Sequence, residues 1–104
     1  MEKRIEKRLL HPLELIYGDN DTFSPGLARN ISSHGILIQA EYQLFPINRE
    51  VKVILTIGNE SVSIQGIVCW NSEYTSTETP PEKQLGLFIP DPPSAYVNFI
   101  NQLN

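Results

Sequence analysis

Between residues 51 and 69 apolar side chains alternate with polar ones on both sides of a short turn, and this rhythm commits the segment to sheet. Val51, Val53, Leu55 and Ile57 fall on one face of a strand. Gly58-Asn59-Glu60 reads as a hairpin turn. Val62 and Ile64 resume the alternation, and Ile67 and Cys69 then carry it in the opposite phase. The shift falls at Gly66 and predicts a β-bulge there.

Similar punctuation runs through the rest of the chain. Residues 9–17 are apolar with His11, Pro12 and Glu14 interleaved, and read as a first strand; Gly18-Asp19-Asn20-Asp21 is a turn by composition. Residues 22–32 form a weaker strand, in which Ser24-Pro25-Gly26 predicts a bulge or an irregular edge. Residues 35–41 make a third strand and 43–49, with Pro46 and Asn48, a connection. Residues 74–83 are polar, contain Pro80-Pro81 and read as a loop, and 85–89 form a last strand. Ser94 is a candidate N-cap for a short helix with Tyr96, Val97, Phe99, Ile100 and Leu103 on its apolar side. Six short strands and one closing helix describe a small antiparallel barrel or a sandwich, and periodicity does not choose between them.

Size and charge narrow the function. At 104 residues a single domain is the default expectation. A hydrophobic content of 40% with 19% charged residues suits a soluble globular domain. No apolar run approaches a membrane span, and the first eight residues lack the apolar stretch of a secretory signal, so the expectation is a cytoplasmic protein without membrane insertion. Cys69 stands alone, in keeping with a reducing compartment; flanked by Val68 and Trp70, it is expected to be buried and inert. Net charge is -4, yet Lys3, Arg4, Lys7 and Arg8 against Glu2 and Glu6 give the first eight residues +2, leaving -6 on the remainder. A basic arm on an acidic body suits a small anion and argues against a nucleic-acid polymer.

Two segments carry recognition chemistry. Arg4-Ile5-Glu6-Lys7-Arg8 is R-x-x-x-R, and Asn30-Ile31-Ser32-Ser33-His34-Gly35 is N-x-S-x-x-G. An arginine fork matches phosphate oxygens, pairs with O6 and N7 of guanine, and stacks on base faces. Fully extended, the four-residue spacing puts Arg4 and Arg8 about 13 Å apart, and on a helix they share one face, so spacing leaves the conformation open. An Asn amide offers a donor and an acceptor, a Ser hydroxyl does the same, and Gly allows a sharp turn or close approach. Enzyme signatures are absent: Ser32 and His34 sit two apart without a nucleophile elbow, and no Cys/His/Asp grouping has metal spacing.

Taken together, in this order, the two segments resemble the ligand signature of the PilZ domain family, bacterial receptors for the second messenger cyclic di-GMP. The likeness runs over nearly the whole chain and includes Gly66-Ile67-Val68-Cys69-Trp70 and Leu85-Gly86-Leu87-Phe88-Ile89, which are similar to the family's last two strands. It implies an all-β fold, a six-stranded antiparallel barrel over residues 9–89, with a flexible ligand-binding arm at 1–8 and a C-terminal helix at 94–103. It also implies a non-enzymatic receptor without a cofactor, which takes cyclic di-GMP through Arg4, Arg8, Asn30, Ser32 and Gly35 and passes the signal to a downstream protein partner. A PilZ-like interaction module that binds no nucleotide is the alternative. Lys3 stands where many relatives have a second Arg, Glu6 places a negative charge beside the arginines, and Phe88 replaces a frequent polar residue. Trp70 has two readings, a stacking surface for a guanine or a cap on the core. Arg29, beside Asn30, has two readings as well, a further phosphate contact or, the preferred one, an exposed strand charge.

Overall fold

The computed structural model describes residues 7–19, 22–72 and 83–103. Arg4 and most of the expected arm, and residues 74–82 of the expected loop, lie outside them. Six antiparallel strands, β1 (Lys7–Asp19), β2 (Thr22–Ser32), β3 (Gly35–Ala40), β4 (Glu50–Ile57), β5 (Glu60–Asn71) and β6 (Lys83–Phe88), precede one helix, α1 (Ser94–Gln102). They close in the order β1-β2-β3-β6-β5-β4, with β4 returning to β1 through pairs such as Leu15↔Leu55 and Tyr17↔Val53. The resemblance implied this barrel; periodicity alone had left a sandwich equally open.

Alternation explains the interior. Leu55, Ile38, Val53 and Leu85 are fully buried, because each falls on the inward phase of its strand. At one end the connection after β3 folds in: Phe45 meets the Tyr17 ring edge-on, and Asn71 donates from Nδ2 to the Phe45 carbonyl at 2.9 Å. Tyr17 donates its hydroxyl proton to the Gln43 carbonyl at 2.7 Å, so the rim is closed by satisfied polar groups. At the other end α1 lays Tyr96 and Ile100 against the same core.

Several expected boundaries move, each for a physical reason. Gly18 and Asp19 are the last residues of β1 rather than turn residues, since Asp19 pairs with Thr22. Ser24-Pro25-Gly26 does not interrupt β2, whose register with β1 is unbroken from Thr22 to Ala28. Pro25 lies one residue outside the β2–β3 ladder, a rim position that tolerates a residue with no N–H. Gly66 is not a bulge either. It pairs in register with Val51, and its missing side chain makes room for Leu87, whose Cβ and Cδ1 would lie 3.2 Å from a methyl there. Because nothing slips at Gly66, Cys69 keeps the outward phase of Ser63, Gln65 and Ile67, and the break comes only later, between Val68 and Trp70. Cys69 is therefore exposed, not buried, with Sγ 3.5 Å from the Gly86 carbonyl. Ser94 is the first helical residue and not the cap; Pro93, held extended at φ -66 and ψ 151, occupies the N-cap and accepts from the N–H groups of Tyr96 and Val97. The β4–β5 turn matches its reading, with Gly58 at φ 62 in the two-residue loop between Ile57 and Glu60.

Candidate ligand-binding site

The β2–β3 hairpin turns through Ser33 and His34, with Ser32 paired to Gly35. Ile31 points into the core at 1% exposure, so the flanking Asn30 and Ser32 point outward on the same face. Gly35 completes this corner: a methyl there would sit 3.3 Å from the Ser32 hydroxyl and crowd it. Three of the five expected site residues thus share one corner of the barrel. The fourth, Arg8, stands directly opposite Asn30 across the β1–β2 ladder. The resemblance implies an arm that ends at residue 8, but Lys7 and Arg8 are the opening residues of β1. The fifth, Arg4, lies outside the described residues.

Asn30 belongs to a row that crosses five strands. Arg8 pairs with Asn30, Asn30 with Leu37, Leu37 with Gly86, and Gly86 with Trp70. At ordinary strand spacing Asn30 and Trp70 are about 14 Å apart along the surface. The register shifts of the barrel border this row: Arg8/Leu13 in the β1–β2 pair, Ala28/Asn30 in β2–β3 and Val68/Trp70 in β5–β6. Bulges bend a strand and re-aim its side chains, and they gather beside functional sites. Here the shift after Val68 throws Trp70 outward across Gly86, where a methyl would lie 3.4 Å from the Trp70 Cβ. Trp70 is 36% exposed, so it lies on the surface and does not cap the core. Arg29, the extra residue of the β2 bulge, is exposed and donates to the Gln39 side chain.

Phe88 follows on the next outward row, paired with both Gly35 and Ile67. It is 46% exposed and stacks on the His34 ring at 6.2 Å between centroids. His34 Nδ1 lies 2.8 Å from the Ile89 carbonyl. A carbonyl only accepts, so Nδ1 carries the proton. This outer face is open rather than enclosed. A groove of about 480 Å³ lies elsewhere, lined by Glu14, Ile16, Pro25, Leu27, Glu41 and Ile54 among others; its carboxylates oppose a phosphate ligand. Among the described residues no group of three His, Cys, Asp or Glu side chains could hold a metal ion.

Tyr96 is the residue that sequence reasoning missed. Read only as part of the apolar side of α1, it donates its hydroxyl proton to the Ser32 carbonyl at 2.7 Å and lies 3.1 Å from that of Gly35. Nothing local announces a contact that spans 64 positions. Burial drives the Tyr96 phenol well above its ordinary value, against a smaller opposing effect of the Ser32 hydrogen bond. Tyr17 is raised too, again first by burial. Both protons stay on the folded protein where the unfolded chain releases them. Their contribution to stability is therefore constant up to about pH 10, the unfolded value, and falls as pH rises beyond it. Melting curves between pH 7 and 11 should show this alkaline loss, with a shallower slope in Tyr96→Phe.

The fold thus defines a closed, PilZ-like six-stranded barrel with a C-terminal helix. The solved structure of the Bacillus subtilis inhibitor of motility, MotI/DgrA, matches it with a TM-score of 0.71 over 99% of this chain, at 14% sequence identity. The chain spans about half of that protein, 54% of its length, and the likeness is one of fold. No family model and no curated protein matches the sequence. No helix among the described residues is long and apolar enough to cross a membrane.

Proposed function

We propose that this chain is a cytoplasmic receptor for cyclic di-GMP that performs no chemistry and acts by altering its contact with a protein partner. One observation carries the reading: Arg8, from the first half of the two-part signature, stands opposite Asn30, from the second. In this reading Arg8 and Arg4 contribute their forks to phosphate and to the O6/N7 edge of guanine. Asn30 and the Ser32 hydroxyl read a base edge, and Gly35 leaves room beside that hydroxyl. A ligand held this way shifts the protein between two states only by its differential affinity for them. Motility is the first output to assay, because the structural neighbour is an inhibitor of motility.

Calorimetric titration with cyclic di-GMP, GTP and cyclic di-AMP tests the reading. Saturable binding is expected for the first alone. Adenine replaces the O6 acceptor with an N6 donor, which an arginine fork repels. Heat with all three compounds, or with none, removes the receptor.

Trp70 extends the platform in this proposal. Its exposed indole supplies a π-face for a base, and Trp70→Ala is expected to cost about 1 kcal/mol, roughly five-fold in affinity. Quenching of the single tryptophan by ligand checks the contact directly in the wild-type chain; unchanged fluorescence at saturation removes Trp70 from the site.

A further inference from the structure

The ligand corner is gripped from behind by the C-terminal segment. Tyr96, fully buried in the first turn of α1, brings one hydroxyl within 2.7 Å of the Ser32 carbonyl and 3.1 Å of the Gly35 carbonyl. One proton is shared between two acceptors, so both carbonyls must keep within reach of a single oxygen. These carbonyls belong to the residues that flank the turn. Between them, His34 is held twice: its carbonyl accepts from the Ile89 N–H at 2.9 Å, and its Nδ1–H donates to the Ile89 carbonyl at 2.8 Å. The whole turn is thereby fastened to the segment that leads into α1.

We propose that Tyr96 is the positioning residue of the cyclic di-GMP corner, and that through its hydroxyl helix α1 responds to whether the corner is occupied. This rests on the receptor reading above. A ligand held at Asn30, Ser32 and Gly35 orders the same turn that the Tyr96 hydroxyl holds. An ordered turn keeps its two carbonyls in place, and release of α1 then becomes less favourable. By linkage the effect is reciprocal: a docked helix presets the turn and favours the ligand. The helix carries no acidic residue in its first turn and no basic residue in its last, so packing and this hydroxyl fix its seat more than charge does.

The test uses the full chain. Amide hydrogen exchange is followed across α1 with and without saturating cyclic di-GMP, and binding is titrated for the wild type, Tyr96→Phe and Ile100→Val. Ligand is expected to slow exchange in α1 of the wild type. Tyr96→Phe keeps the ring and loses the bond; its Kd should rise about three- to ten-fold, and exchange in α1 should no longer respond to ligand. Ile100→Val loosens the same helix but leaves the hydroxyl on the turn, and should weaken binding clearly less than Tyr96→Phe does. The coupling is overturned if wild-type α1 exchange ignores the ligand, if Tyr96→Phe keeps the wild-type Kd, if its helix still responds, or if Ile100→Val weakens binding equally. The wild-type exchange comparison decides without any variant. A flat wild-type titration is a separate result: it removes the receptor, and this proposal with it.

Discussion

Arg8→Ala is expected to weaken cyclic di-GMP binding about ten- to hundred-fold. Backbone pairing places residue 8 beside Asn30, the second-half residue best suited to reading a base. A guanidinium there offers a planar, permanently charged fork to the phosphates and guanines of the proposed ligand. Removing one charge-assisted hydrogen bond costs about 1.5 to 3 kcal/mol, which sets the expected range. Arg8→Lys separates charge from shape: it keeps the cation, loses the fork, and should fall between the wild type and the alanine variant. Calorimetric titration of the three proteins measures the order. Wild-type affinity in Arg8→Ala would detach the β1 end from the ligand and leave the Asn30 corner as an ordinary strand connection.

The largest effect on folding is expected from Gly18→Ala. A methyl at Gly18 would lie 2.0 Å from the Thr22 carbonyl oxygen and 2.9 Å from the Phe23 Cα, all backbone atoms of the facing strand. Rotating a side chain cannot relieve that overlap. The β1–β2 hairpin must open or β1 must shift against β4, where Gly18 pairs with Lys52. The cost is about 3 kcal/mol or more, a large share of the roughly 5 to 15 kcal/mol that holds a small domain together. Gly58→Ala is the matched comparison: nothing lies within 4 Å of its would-be methyl, and only the positive φ of 62 penalises it. That penalty is about 1 kcal/mol. Denaturant midpoints should therefore rank wild type, Gly58→Ala and Gly18→Ala in descending order. Equal losses would mean that the close approach at Gly18 relaxes freely.

The contrast between these glycines marks what the chain discloses in one dimension. Gly58 announces its turn locally, because the residues on either side alternate and then stop. Gly18 looks like another turn residue, and its real constraint comes from a carbonyl on the facing strand. Gly66 misled for the same reason. An inward glycine leaves no apolar mark, so the alternation seemed to slip there, while the true slip at Cys69 depends on how β5 meets β6. Cys69 keeps the outward phase that runs from Ser61 through Gln65, and the slip adds Trp70 to the same side, which no local pattern around Trp70 shows. The Asn30, Ser32 and Gly35 corner was legible because its residues are contiguous and alternate about one buried isoleucine. The register that sets Arg8 against Asn30, and the reach of Tyr96 from the far end of the chain, are pairings in space and have no trace in their own neighbourhoods.

The mismatched registers along one row have a mechanical consequence. Elsewhere the ladders run without interruption, as along all eight pairs of β4 and β5. Where strands disagree in length, backbone bonds are missing and fraying is cheapest. The wall of this barrel therefore has three weak points at one level, beside the proposed ligand seat. Backbone amides there are expected to exchange faster than those of the unbroken β4–β5 ladder, so the seat can adjust without the cylinder melting.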